Sequence, residues 1–118
     1  MHKKIIAVVD DMFFASKIRG TAESLGVKVV FVRSLEQLTK SQTEQPDLII
    51  CDLHSRNIDP VLLAETIKGS DQLRSIPLLG FFSHVETQLQ RAASEAGFDK
   101  VIPRSVFSRD LASILRGE

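Results

Sequence analysis

The sequence has few of the features that mark an exported or membrane-bound protein. It contains a single cysteine, Cys51, so no internal disulfide can form, and a reducing compartment fits this composition. No apolar run approaches the length that spans a bilayer, and the apolar part of the N-terminal segment is too short for a signal peptide. We therefore expect a cytoplasmic protein.

The sequence also lacks a charge excess and a glycine-rich phosphate loop. Lys plus Arg and Asp plus Glu each total 15, so the formal net charge is zero. Proteins that bind nucleic acid without sequence preference usually carry a basic excess, so we expect no direct nucleic-acid binding. A flavin- or nucleotide-binding protein needs a loop rich in glycine and hydroxyl groups, whereas residues 10–16 read DDMFFAS. A small enzyme or nucleotide binder is therefore the least favoured function.

The chain contains a regular alternation of apolar runs and amphipathic segments. Its 118 residues, 43% of them hydrophobic, suit one globular domain over residues 1–118. The apolar runs are continuous rather than alternating, which is typical of strands buried on both faces of a parallel sheet. The predicted strands are Lys4–Val9, Lys28–Val32, Leu48–Cys51, Leu78–Phe82 and a weaker Lys100–Ile102.

Five helices are predicted between and after these strands from apolar spacing and from capping residues. The residues that begin or end them are Gly26, the pair Ser34 and Gln37, the pair Asp59 and Pro60, Gly97, and Ser108. The side chains expected to face the core include Leu62, Leu63 and Ile67 of the third helix and Leu111, Ile114 and Leu115 of the fifth. Alternating strands and helices predict a doubly wound five-stranded parallel sheet.

Polar residues follow the predicted strands at one edge of this sheet, where ligands of such folds bind. They are Asp10 and Asp11 after the first strand, Asp52 after the third, Ser83 and His84 after the fourth, and Arg104 after the fifth. Three converging carboxylates repel one another, and a divalent cation with oxygen ligands such as Mg²⁺ would offset that repulsion. The alternatives are a solvated acidic turn, Arg104 as a permanent counter-ion, and a transition-metal site that includes His54 or His84.

The order and spacing of these residues resemble the receiver domains of two-component response regulators. The residues that carry the resemblance are Asp10–Asp11, Asp52, Asp59, Ile76–Pro77 and Gly97–Phe98–Asp99. The resemblance covers nearly the whole chain and implies a flavodoxin-like (βα)5 fold. It also implies a signalling module rather than an enzyme, with no catalysis beyond its own aspartyl phosphorylation and dephosphorylation.

The resemblance implies a role for each acid and a set of partners. Asp52 matches the phosphoacceptor, which takes a phosphoryl group from a sensor histidine kinase or a phosphotransfer protein. Asp10 and Asp11 match the acidic pair that holds Mg²⁺ together with Asp52 and the backbone carbonyl of His54. A downstream protein partner, or a second copy in a homodimer, is implied on the fourth helix, fifth strand and fifth helix.

Three positions on the last two strands depart from the receiver pattern. The Thr or Ser expected at the end of the fourth strand falls on Phe82, and Ser83 could replace it only if the register shifts by one residue. Arg104 stands where a lysine is expected, and Val101 where an aromatic switch residue is expected. We therefore expect an atypical receiver whose conformational response to phosphorylation is weakened. The alternative is a pseudo-receiver, a protein-interaction module that acts without phosphorylation.

Overall fold

A computed structural model describes residues 2–40, 45–83 and 87–118, so the predicted candidate His84 lies outside the described residues. The elements are β1 (Lys4–Val8), α1 (Met12–Leu25), β2 (Lys28–Phe31), α2 (Leu35–Lys40), β3 (Leu48–Asp52), α3 (Pro60–Lys68), β4 (Leu78–Phe82), α4 (Thr87–Ala96), β5 (Lys100–Pro103), α5 (Arg104–Arg109) and α6 (Leu111–Arg116). Within these ranges, none of the helices has the length and apolar character needed to span a bilayer.

The five strands form one sheet in the order β2-β1-β3-β4-β5, and every neighbouring pair is parallel. This order confirms the predicted flavodoxin-like arrangement. The strand order reverses between β1 and β3, and the crevice outside the carboxyl ends of these strands is the usual ligand position in such sheets. Asp52 ends β3, and Asp10 and Asp11 follow β1, so the acids lie at that point.

Two apolar layers cover the faces of the sheet. On one face, α1, α5 and α6 pack against β1, β3, β4 and β5, and the rings of Phe14, Phe81 and Phe107 stack on one another. The centroids of Phe81 and Phe107 lie 4.3 Å apart. On the other face, α2, α3 and α4 cover a second cluster that includes Cys51, whose burial raises the pKa of its thiol. Cys51 is therefore a core residue.

The predicted helix ends are largely confirmed. Asp59 begins α3 by accepting hydrogen bonds from the backbone N–H groups of Val61 and Leu62, at 2.8 and 3.3 Å. Gly26 ends α1 in the left-handed conformation, at φ +73°, which glycine adopts without steric cost. Ser34 Oγ accepts from the N–H of Gln37 at 3.1 Å, so the cap that was expected before α2 is present.

The fifth predicted helix is wrong in two respects. The helix begins at Arg104, directly after Pro103, and Ser108 lies inside it rather than capping it. The chain then leaves helical geometry at Asp110, where φ is −102° and ψ is 15°, so one predicted helix becomes α5 and α6. The Ser108 hydroxyl is instead bonded to the Lys17 ammonium of α1, a long-range contact that capping rules do not anticipate.

Two smaller expectations about helix faces are also corrected. Leu62 of α3 is 50% exposed, and Leu63, Ala64 and Ile67 face the core instead. A step of about 100° per residue puts these three on one stripe and turns Leu62 away from it. On α6, Leu111 and Leu115 are buried, whereas Ile114 is only partly buried.

Candidate functional site

Asp52 is a half-buried acid at the carboxyl edge of the sheet. Its Oδ1 accepts a hydrogen bond from the backbone N–H of His54 at 2.9 Å. Its Oδ2 accepts no hydrogen bond from any residue within the described ranges. Burial raises the pKa of Asp52, while the His54 N–H and the charge of Arg104 act in the opposite direction. Asp52 is thus a partly desolvated carboxylate with one oxygen available.

Asp10 is held by the loop that follows β3. Its Oδ1 accepts from Ser55 Oγ at 2.9 Å and from Asn57 Nδ2 at 3.1 Å. Its Oδ2 accepts from the backbone N–H groups of Arg56 and Asn57, at 2.6 and 3.3 Å. A carboxylate has about four lone-pair sites, so these four donors fill the hydrogen-bonding capacity of Asp10.

Asp11 is held by a helix-capping hydrogen bond and an ion pair rather than by a loop. Its Oδ1 caps α1 by accepting from the N–H of Phe14 at 3.1 Å, and its Oδ2 lies 3.1 Å from Arg104 Nη2. The Phe14 N–H first, and the Arg104 guanidinium second, hold the pKa of Asp11 below its ordinary value. The same guanidinium lies over the ring of Phe14, with Cζ 4.0 Å from the centroid. Arg104 is thus an internal cation fixed by an ion pair and a ring contact.

Phe13 and Phe14, next to these acids, separate into one surface residue and one core residue. Phe14 is buried under the sheet, whereas the side chain of Phe13 is 76% exposed. Met12, which precedes them, is 80% exposed. The first turn of α1 therefore presents apolar side chains to solvent beside Asp11.

The donor set has the chemistry of a hard-cation site, because Asp10, Asp11, Asp52 and the His54 carbonyl all offer oxygen. The arrangement is nevertheless not that of a formed metal site. Within residues 2–40, 45–83 and 87–118, no group of three or more His, Cys, Asp or Glu side chains is placed to hold one ion. Protein donors occupy both oxygens of Asp10 and of Asp11. A cation that binds Asp10 must therefore exchange with bonds that the protein makes to itself.

The ends of β4 and β5 differ from the acidic region in composition and packing. Phe82 is the last residue of β4, is only 7% exposed, and belongs to the same core cluster as Leu53 and Phe98. Ser83 is exposed just beyond the strand, and no hydrogen bond joins it to the three acids. Val101 packs partly buried against the same cluster. The strand register pairs Phe82 with Pro103, so it places Phe82 and not Ser83 at the strand end.

Sequence reasoning missed Ser55, Arg56 and Asn57 as partners of Asp10. The signal available was the polar run that follows Asp52, since Ser and Asn are common in loops where they bond nearby groups. That signal does not reveal a partner 45 residues away in the chain, because the partner depends on β1 and β3 being neighbours in the sheet.

No family model matches the sequence. Among solved structures, the receiver domain of a signal transduction histidine kinase from Syntrophus aciditrophicus is 26% identical, with a TM-score of 0.81. The match covers 98% of this chain and 88% of that one. The chemotaxis response regulator CheY4 of Vibrio cholerae is 18% identical, with a TM-score of 0.81 and coverage of 99% and 98%.

A third similar structure contains a metal ion. It is the receiver domain of a sensor histidine kinase from Pseudomonas aeruginosa, with magnesium coordinated in its active-site cleft. It is 18% identical, with a TM-score of 0.81 and coverage of 99% of this chain and 97% of that one. The chain thus has the fold of a response-regulator receiver domain, and the predicted resemblance is confirmed at the level of the fold.

Proposed function

We propose that this domain is an atypical receiver of two-component signalling in which Asp52 accepts a phosphoryl group. The observation that carries the proposal is the state of Asp52 at the switch point of the sheet. One of its oxygens is fixed by the His54 N–H, the other accepts no hydrogen bond within the described ranges, and burial disfavours its charge. Acids in this position whose pKa is raised by burial are candidates for chemistry rather than for structure.

The proposed reaction is an in-line phosphoryl transfer from a phosphohistidine. An oxygen of Asp52 bonds to phosphorus while the phosphorus–nitrogen bond breaks, and the imidazole leaves with that electron pair. The His54 N–H holds Oδ1, which leaves Oδ2 as the oxygen available to attack phosphorus. Arg104, whose charge already acts on Asp52, offers a planar guanidinium that suits phosphoryl oxygens.

Mg²⁺ is part of this proposal as the cation that neutralises the equatorial phosphoryl oxygens when it is bound. Asp10, Asp11, Asp52 and the His54 carbonyl are the groups that would hold it. The magnesium-containing receiver from Pseudomonas aeruginosa and a manganese-bound form of response regulator Rcp1 support a divalent cation in proteins of this fold. A phosphorylated structure of the cyanobacterial response regulator RcpA supports the reaction in the same way.

The proposed partners are a sensor histidine kinase or phosphotransfer protein and a downstream protein, in a cytoplasmic setting. We assign the downstream surface, or a homodimer contact, to α4, β5 and the α5–α6 segment. Phe107 takes no part in it, because its side chain is fully buried under Phe81. Arg109 is exposed on this surface and paired with Asp110, so charge reversal at Arg109 tests the surface with little effect on the core.

The pseudo-receiver remains a second candidate because of one observation, the Arg104–Asp11 ion pair. A built-in cation at the acids makes a resident metal unnecessary for balancing their charge. In that case the domain binds its partner in the same state whether or not a phosphodonor is present.

Phosphorylation with a small donor separates the two candidates. The protein is incubated with phosphoramidate or acetyl phosphate and Mg²⁺, and its intact mass is measured. We expect the mass of one added phosphoryl group in the wild type and none in Asp52→Asn. The matched control is Asp71→Asn, an acid whose side chain is 92% exposed and which should leave the reaction unchanged. No added mass in the wild type at any Mg²⁺ concentration would favour the pseudo-receiver.

A further inference from the structure

The segment Ser55–Asn57 holds Asp10 by four hydrogen bonds, and we name it the loop clamp. Two bonds come from side chains, Ser55 Oγ and Asn57 Nδ2, and two from the backbone N–H groups of Arg56 and Asn57. The clamp joins the end of β1 to the residues that directly follow Asp52 of β3. It therefore ties a proposed metal ligand to the loop that carries the proposed phosphoacceptor.

The clamp is anchored at both of its ends. The Ser55 N–H donates to the backbone carbonyl of Asp52 at 3.0 Å, and the Ile58 N–H donates to Ser55 Oγ at 3.4 Å. Ile58 is buried in the core, and Asp59 then caps α3. Ser55 is the central member, because its hydroxyl donates to Asp10 and accepts from Ile58. A change in the hydrogen bonds of Asp10 therefore affects residues 55–57, which lie between the Asp52 carbonyl and the buried Ile58.

We propose that Ser55 and Asn57 are positioning residues that keep Asp10 in its cation-free orientation, and that a divalent cation binds Asp10 only by displacing part of the clamp. This inference rests on the metal site of the proposed function. All four lone-pair sites of the Asp10 carboxylate are used by N–H or O–H donors. A cation needs at least one of these sites, so cation binding and the complete clamp exclude each other.

The loop clamp can also change structure when a cation binds the acids, which the ends of β4 and β5 are poorly suited to do. Phe82 has no hydroxyl and is packed in the core, and Val101 is too short to exchange between a buried and an exposed rotamer. Residues 55–57 have bonds that a bound cation must break, and they lie at the surface directly before α3. The loop clamp is therefore the element whose state follows the occupancy of the acids.

The test compares Mg²⁺ affinity with stability in the clamp variants. Ser55→Ala and Asn57→Ala each remove one side-chain donor to Asp10, and Ser94→Ala on exposed α4 is the matched control. Mg²⁺ affinity is measured by amide NMR titration, and thermal unfolding is followed without metal. We expect each clamp variant to bind Mg²⁺ about fivefold more tightly, the factor that one hydrogen bond typically represents, while its melting temperature without metal falls. The control should change neither quantity.

A second readout follows the clamp directly in the wild type. Mg²⁺ should speed hydrogen exchange at the amides of Arg56 and Asn57, which donate to Asp10 in the structure. A lower melting temperature with unchanged or weaker Mg²⁺ affinity in both variants would overturn the clamp, because a purely structural role gives that result. Absence of Mg²⁺ binding in wild type and variants alike would also overturn it. Tighter Mg²⁺ binding without phosphorylation of Asp52 would uphold the clamp and overturn only the proposed function.

Discussion

The carboxyl edge of the sheet has two halves that are built differently. The half at β1 and β3 contains three acids, and hydrogen bonds and an ion pair hold Asp10 and Asp11 in place. The half at β4 and β5 ends in Phe82 and the partly buried Val101, with Arg104 reaching across to Asp11. The first half contains the acids that the proposed phosphoryl transfer would use, whereas the second has few polar groups that could respond to it.

Under the proposed function, this difference would leave the phosphoryl chemistry in place while weakening the transmission of its signal. The carboxylate of Asp52 is held by the His54 N–H of the loop that follows β3, and the strand register pairs Asp52 with Phe81 rather than with Phe82. A large apolar residue at the end of β4 is compatible with an intact acidic half, since it packs into the core on one face of the sheet. A ligand at the acids shifts a conformational equilibrium only through contacts that differ between the two states.

Replacing Phe82 should have the largest effect on stability. Phe82→Thr restores the hydroxyl expected in receivers but removes a ring that is only 7% exposed, so we expect a loss of about 3 kcal/mol in unfolding free energy. Urea unfolding measures this loss. Phe13→Thr is the control, because its side chain is 76% exposed and its replacement should cost less than about 0.5 kcal/mol. Equal losses in both variants would contradict the core assignment of Phe82.

The two adjacent acids should differ in their contribution to stability. Asp10→Ala removes the acceptor of all four clamp bonds, and we expect a loss of about 2 kcal/mol in metal-free protein. Asp11→Ala should cost less, since it removes one helix-capping bond and one solvent-accessible ion pair. Urea unfolding in the presence of a chelator gives both values. A larger loss for Asp11→Ala would show that the ion pair, rather than the clamp, organises the acidic half.

Asp52→Asn should raise stability by a smaller amount at neutral pH. Burial raises the pKa of Asp52, so its ionised form is less favourable in the folded chain than in the unfolded chain. This penalty is present above the raised pKa and disappears as the pH falls through it. We expect the variant to have a higher melting temperature than the wild type at neutral pH and little gain in acid, as measured by thermal unfolding at both pH values. A gain independent of pH would contradict burial as its cause.

The sequence predicted the framework well, because its signals are local. Continuous apolar runs identified all five strands, and Asp59 with Pro60 identified the start of α3. The break at Asp110 was not predicted, because no local signal marks it. Leu62 was assigned to the core although the helical step that aligns Leu63 and Ile67 turns it away from them. The clamp was not predicted either, since Ser55 and Asp10 meet only when β1 and β3 lie side by side.

We expect the acidic half to respond to phosphorylation while the β4–β5 half hardly changes. Amide NMR spectra with and without beryllofluoride, in the presence of Mg²⁺, distinguish the two halves, with Asp52→Asn as the control. Changes are expected at residues 10, 11 and 52–58, with little change along β5, α5 and α6, because Phe82 and Val101 offer no polar group to the added phosphoryl mimic. Large changes that extend to Leu111 would contradict this expectation and would show that Ser83 or Arg104 transmits the signal.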